Sequence, residues 1–400
     1  MKPRAWVDEA DAALESNLPE FERRSHVLPS WARPAKDEAE DGTAVTRLAG
    51  EKRFREDDLD ALLARTEPLL TSKHDRQQTA APPVLSVLPL PRDTARSIQW
   101  HRNGQLAIVG GNQHIYLFHA AGRFVQQLSK TYVCRRIQHA ALGPTGEDVV
   151  VVGHEMYTPS LLKLSVGKVV PLNFMYTRDS TAYRNGRRDN SKHDFYINKV
   201  AARDGDSTCK AIAVSCGATV MVGSLVSGSI THRIEVSDPV VDFAFSRDSR
   251  ELTVATRSKL IVYDLRKTAH FLRELQDRGT VDITTFSTFE SAVAIGSASG
   301  VVSLFSGGGA ANGPVKALKN LTTSIGCTAF GQRGDGSAVL AFSTAAQKGG
   351  FRLATLPDCR VVPSFPAVGQ RHSFIQALAV APTIPVLSVG ERQKVTNYAL

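Results

Sequence analysis

Between Asn173 and Lys199 the chain sets Arg178, Arg184, Arg187, Arg188, Lys192 and Lys199 among Tyr176, Tyr183, Phe195 and Tyr196. Cations neutralise phosphates and aromatic faces stack on bases, so this mixture carries the chemistry of an RNA contact. Arg178, Arg184, Arg187, Arg188 and Lys192 are the candidate phosphate ligands, and Tyr183 is the candidate stacking group. A protein-docking loop, or a solvated loop with its aromatics tucked onto the domain, fits the same residues. No comparable cluster points to catalysis. The chain has no phosphate-binding G-x-x-x-x-G-K-[ST] loop, no G-x-G-x-x-G between strand and helix, no H-E-x-x-H and no G-x-S-x-G. Asp179, Asp189 and Asp194 share their loop with arginines and read as partners of those cations, not as metal ligands. His139 and His154 read as turn or surface residues. Asp242 and Asp282 read as structural residues in matching places of two repeats. The five cysteines are scattered and read as free thiols. No catalytic residue, metal, cofactor or small-molecule substrate is expected.

The elements that position this cluster follow from composition. No stretch of about 18 apolar residues offers a membrane span. The opening run Met1-Lys2-Pro3-Arg4-Ala5-Trp6-Val7-Asp8-Glu9 turns acidic at once, where a secretory signal would be apolar, so a protein made for the cell interior is expected. Charge is uneven: residues 1–80 hold 13 Lys/Arg and 17 Asp/Glu, whereas residues 81–400 hold 35 and 22. A basic folded part favours an anionic neighbour. Residues 1–80 read as an extended, partly helical tail, with helical patterns over Ala10–Phe21 and Phe54–Leu70. Such helices have no core of their own, so they pack on the domain, pack on a partner or stay disordered. Trp6, Phe21 and Trp31 are the tail's candidate partner-binding anchors, because buried aromatics dominate interface energies.

After Pro82-Pro83 the texture changes to short β-branched segments separated by Gly, Asp, Asn and Pro. One four-strand unit recurs, clearest from Val240, with strands Val240–Phe245, Glu251–Thr256 and Lys259–Asp264. Copies start near Ser97, Arg136, Phe195, Val240, Val281, Ile325 and Phe374. Their spacing is roughly 40–50 residues, and near 60 only where the basic segment interrupts the second and third, a period that means propeller blades. Tyr263-Asp264 sits where such repeats place Trp-Asp. The expectation is an all-β, seven-bladed WD-repeat-type β-propeller over residues 81–400, with a basic insertion near 173–199. The last copy has three strands, and Val84–Leu88 is expected to supply the fourth and close the ring. Pro89 and Pro91 just after it suit an outer edge, which needs few backbone donors.

Several stretches resemble one WD-repeat family. Pro314–Ile325, with its Asn320-Leu321-Thr322-Thr323, Ala292–Phe305, Phe351–Pro357, Ala5-Trp6-Val7-Asp8-Glu9 and Pro29-Ser30-Trp31-Ala32 are similar in order to segments of the U3 small nucleolar RNA-associated protein 18 family. The resemblance spans nearly the whole chain. It implies a nucleolar, non-catalytic scaffold of the U3 snoRNP and small-subunit processome, needed for pre-18S rRNA processing. Implied partners are the other WD-repeat subunits of the UtpB subcomplex, U3 snoRNA and the 5′ external transcribed spacer of pre-rRNA, with no membrane. The leucine-phenylalanine-x-hydrophobic-aspartate motif by which some relatives recruit the exosome helicase is not found. The competing reading is another WD-repeat scaffold, a substrate adaptor or chromatin-associated module without RNA contact. The basic charge argues against a histone reader, since histones are basic too.

Overall fold

A computed structural model describes residues 81–177, 196–206, 208–246, 250–276, 279–290, 292–306, 313–367 and 370–400. The described residues form seven four-stranded antiparallel sheets, the blades of a β-propeller. The first strands of blades 1 to 7 are Ser97–Trp100, Ile137–Leu142, Ile197–Ala202, Val240–Phe245, Ile283–Phe289, Cys327–Gln332 and Ala377–Val380. Each packs beside the next, and the seventh beside the first, so these are the inner strands of a closed ring. All run the same way along the axis. The upper face is the one where inner strands begin, and the lower face the one where they end.

Strand position explains strand composition. The second strands lie between neighbouring strands within a blade and between neighbouring blades, so both faces are covered. Ala211–Cys216 is buried at all six residues, and Asp148–Gly153 at all but the first. Continuous apolar runs result, in place of the alternation of a half-exposed strand. Outermost strands face water, as Phe124–Tyr132 of blade 1 does along almost its whole length. The cores are seams between blades. Val220 and Val222 of blade 3, for example, meet Phe243, Val254 and Tyr263 of blade 4. Burying each such side chain is worth roughly 1.5–3 kcal/mol.

The outermost strand of blade 7 is Val84–Thr94, which pairs antiparallel with the last strand, Arg392–Ala399, from Val84 opposite Tyr398 to Thr94 opposite Arg392. It runs past Leu88 and contains Pro89 and Pro91, because the outer side of this strand has no ladder to donate to. A polar chain ties it in: Asn397 Nδ2 donates to Ser86 Oγ at 3.0 Å, Ser388 Oγ to Asn397 Oδ1 at 2.7 Å, and Trp100 Nε1 of blade 1 to Ser388 Oγ at 2.9 Å. At the strand's other end Asp93 accepts from the Asn112 N–H at 2.6 Å and from Tyr116 Oη at 3.0 Å. Burial, and then the Asp93 carboxylate, push the Tyr116 phenol up to about 12, so it stays a donor.

Within blade 7, Glu391 and His372 form a buried pair at 2.5 Å, and the ring's Nε2 lies 3.0 Å from Tyr398 Oη. Burial raises the Glu391 carboxyl, but the His372 ring and the Ser373 N–H outweigh it and hold the group below its usual range. All three side chains are enclosed, so this Tyr-His-Glu set is a clasp for the last blade.

Candidate functional site

The basic insertion is rooted on the upper face. Blade 2 ends with Lys168–Pro171, a 3-10 turn follows over Asn173–Met175, and the chain returns to begin blade 3 at Ile197. Buried Leu172 and Met175 pin the outgoing stem. Both stems are tied to one turn of blade 2. The Thr177 N–H donates to the Tyr157 carbonyl at 3.0 Å, and the Ile197 N–H to the Met156 carbonyl at 3.0 Å. Tyr157 also gathers Tyr176 and Tyr196, with ring centroids 6.2 and 4.9 Å away. The insertion therefore leaves and rejoins the ring at one aromatic base, where Tyr176 remains 46% exposed.

Arg178, Tyr183, Arg184, Arg187, Arg188 and Lys192 lie outside the described residues, as do Trp6, Phe21 and Trp31 of the tail, Phe195, the three insertion aspartates and Gly307-Gly308-Gly309. Lys199 is described, and it is not a loop cation. It stands in the inner strand of blade 3, and its ammonium pairs with Asp242 of blade 4.

That pair belongs to a belt around the axis which the sequence reading missed. In blades 2 to 5 the inner strand makes its first pairing, skips one residue as a bulge, and presents His139, Lys199, Asp242 and Thr285 at the next pairing. His139 is thus part of an inner strand and not a turn or surface residue. The supposed equivalence of Asp242 and Asp282 also fails. Thr285 is the counterpart of Asp242, while Asp282 lies exposed before its strand at a φ of 46°. Asp242 is 4% exposed and accepts from Thr285 Oγ1 at 3.2 Å and the Phe286 N–H at 3.4 Å, besides Lys199. One carboxylate so joins three consecutive blades, a structural use that consumes its acceptors.

Neither neighbour of this pair is prepared for chemistry at neutral pH. Burial, and next the Lys199 charge, lower the His139 ring to about 3, and its Nδ1 has no hydrogen-bond partner. Burial pushes the Cys327 thiol up, away from a reactive thiolate, and it donates to the Gln376 carbonyl at 3.4 Å. Among the described residues no group of three or more His, Cys, Asp or Glu side chains is placed to hold a metal, and none of the five cysteines is in a disulfide. No helix among the described residues is long and apolar enough to cross a membrane.

A pH dependence follows from His139. Unfolded, the ring titrates near ~6.5; folded, near about 3. A depressed folded value means stability that is complete above the unfolded value and is lost as pH falls toward the folded one. The slope for one such group is at most about 1.4 kcal/mol per pH unit. Urea unfolding of wild type and His139→Gln between pH 7 and roughly pH 4 is expected to show a shallower acid limb in the variant. Parallel limbs would mean that the folded ring takes up its proton freely.

No family model matches the chain. Three relatives do. The chain is 23% identical to U3 small nucleolar RNA-associated protein 18 of Saccharomyces cerevisiae over 344 residues, covering 74% of this chain and 56% of the relative. It is 22% identical to the homologue of that protein in Mus musculus, over 77% of this chain and 54% of the relative. The Homo sapiens homologue is again 22% identical, over 76% and 53%. The chain thus spans about half the length of the curated relatives it matches. The resemblance carried by the residues and the seven-bladed fold point the same way.

Proposed function

We propose, for a chain that belongs to the U3 small nucleolar RNA-associated protein 18 family, a non-catalytic scaffold acting in small-subunit ribosome biogenesis in the nucleolus. The observation that carries this reading is a similarity extending over about three quarters of the chain in each of three relatives named for association with U3 small nucleolar RNA. The physical features agree with it. The propeller part of the sequence is the basic part, suited to a phosphate-rich partner. Its most reactive-looking groups are structurally engaged: Asp242 and Cys327 link neighbouring blades, and the Tyr398-His372-Glu391 set clasps the last one.

On this reading residues 81–400 are the rigid part and residues 1–80 a partner-binding tail. Arg178, Arg184, Arg187, Arg188 and Lys192 meet RNA phosphates, and Tyr183 stacks. The RNA is U3 snoRNA or the 5′ external transcribed spacer, as part of pre-18S rRNA processing. Trp6, Phe21 and Trp31 anchor protein partners, the WD-repeat subunits of the UtpB subcomplex. No cofactor or small substrate enters.

The test is crosslinking of the tagged full chain to cellular RNA, followed by sequencing, for wild type and a variant with the five cations changed to Gln. U3 snoRNA and pre-rRNA are expected in the wild-type library and depleted from the variant's. In vitro, each lost phosphate contact removes roughly 0.7–0.9 from the slope of log affinity against log salt. An unchanged slope would take the insertion out of RNA binding, and a wild-type library without U3 would sink the function. Trp6→Ala with Trp31→Ala is expected to keep the melting temperature while losing co-purified proteins.

A further inference from the structure

The lower face carries a feature that the RNA reading leaves unused. A cavity of about 1170 Å³ opens where the inner strands of blades 3 to 7 end, and it runs outward along the seam between blades 4 and 5. Its floor is apolar. Phe289 and Phe330, near the ends of the inner strands of blades 5 and 6, stack with centroids 6.0 Å apart and planes 29° from parallel. Phe245, Val293 and Phe305 extend the apolar wall. A second groove of about 330 Å³ lies between blades 3 and 4. Arg250 and Arg266 line both, so the two form one path with these arginines at the junction.

The charges along the path sort themselves. Arg273 is taken by Glu251 at 2.9 Å, and Arg266 leans on Asp264 at 3.6 Å. Arg250 and Arg333 have no ion pair among the described residues, although both line the cavity. In the second groove Arg203 touches Asp206 only at 3.8 Å, and its Nε is buried with no hydrogen-bond partner. A buried donor left open costs free energy unless something accepts from it. Arg203 thus has an open buried donor, and Arg250 and Arg333 line the path without an ion pair within 4 Å, beside the stacked aromatics.

We propose that this path binds an extended acidic segment of a partner protein, with one bulky apolar side chain seated on Phe289 and Phe330 and carboxylates meeting Arg250, Arg333 and Arg203. A polypeptide fits better than a nucleic acid. Asp204, Glu251, Asp264 and Glu290 also line the main cavity, and a phosphate at every step of a strand would meet them. A peptide places its charges only where cations stand. The apolar floor supplies the anchor pocket of a hot spot, and the arginines supply bidentate recognition of carboxylates. The site is on the face opposite the insertion's root, so it does not depend on the RNA reading.

The test uses the full chain and an array of ten-residue peptides, each with one Trp, Phe or Leu flanked by Asp or Glu at varied spacing. Matched arrays carry Lys in place of the acids or Ser in place of the apolar residue. Members of the first array are expected to bind, with at least a tenfold loss for Arg250→Glu and for Arg333→Glu, and neither matched array should bind. Arg250 is exposed, so its substitution leaves the ring folded, and an unchanged melting temperature checks this. The proposal falls if no acidic member binds at 100 µM concentrations or below, if binding survives both substitutions, or if the Lys array binds as well. It falls equally if a twelve-nucleotide oligouridine outcompetes the best peptide and is itself lost in Arg250→Glu, since the path would then be an RNA groove.

Discussion

A chain beginning at about residue 95 is expected to unfold without a cooperative transition, or to aggregate, while one beginning at about residue 80 is expected to melt sharply. This is the largest effect expected of any change to the molecule. Residues 84–94 bring Leu88 and Leu90, both fully buried, into the seam between blades 7 and 1. Losing them removes roughly 3–6 kcal/mol of apolar burial. It also strands Asn397 Nδ2 and Tyr116 Oη, which donate to Ser86 and Asp93, at roughly 1–3 kcal/mol each. The total approaches the 5–15 kcal/mol that holds a typical domain. The last strand would meanwhile become an open edge, a template for intermolecular pairing. Calorimetry and size-exclusion chromatography of the two proteins decide the matter. A sharp, reversible melt of the shorter chain at an unchanged temperature would show that the ring stands without its outer strand.

Asp242→Ala is expected to cost about 2–4 kcal/mol, the second-largest effect. The substitution leaves the Lys199 ammonium, whose side chain is 26% exposed, with no counter-charge. It also removes the acceptor of Thr285 Oγ1 and of the Phe286 N–H. Breaking one partner of a buried pair costs more than the pair itself contributes, because an unpaired charge stays behind. The double change Lys199→Met with Asp242→Leu is therefore expected to be more stable than Asp242→Ala alone. Urea denaturation of the three proteins measures both differences. A cost below about 1 kcal/mol for Asp242→Ala would mean that water replaces the carboxylate easily and that the belt does not brace the blades.

The blades were legible because their period is written in apolar residues. Val240–Phe245, Ser97–Trp100 and Val386–Gly390 lie where alternation and turn residues put them. Boundaries slipped where burial and pattern part company. Val281-Asp282 look like the start of a strand, yet blade 5 begins at Ile283, because Asp282 takes a left-handed turn conformation. The axial belt was hidden for a related reason. Blades 4 and 5 share the same bulge, but counting from Val281, which lies before the strand, sets Asp282 opposite Asp242 where the true counterpart is Thr285. The available signal was the residue itself: a carboxylate within Val240-Val241-Asp242-Phe243-Ala244-Phe245 has to find a cation. The lower-face cavity left no linear trace, since its lining comes from the ends of strands far apart in the chain. Arg178 to Lys192 and the tail tryptophans were read from composition alone, and they lie outside the described residues.

Ring closure also fixes an order of events at the ribosome. Ser86 meets Asn397 across 311 residues of chain, and Trp100 meets Ser388 across 288. At translation rates of roughly 5–20 residues per second, the strand Val84–Thr94 emerges roughly 15–60 seconds before its partner strand exists. Blades 1 to 6 have all of their own strands by then and are able to form one after another. The first strand among the described residues is thus the last of them to find its place, and for that interval Leu88 and Leu90 lack the seam that buries them in the closed ring.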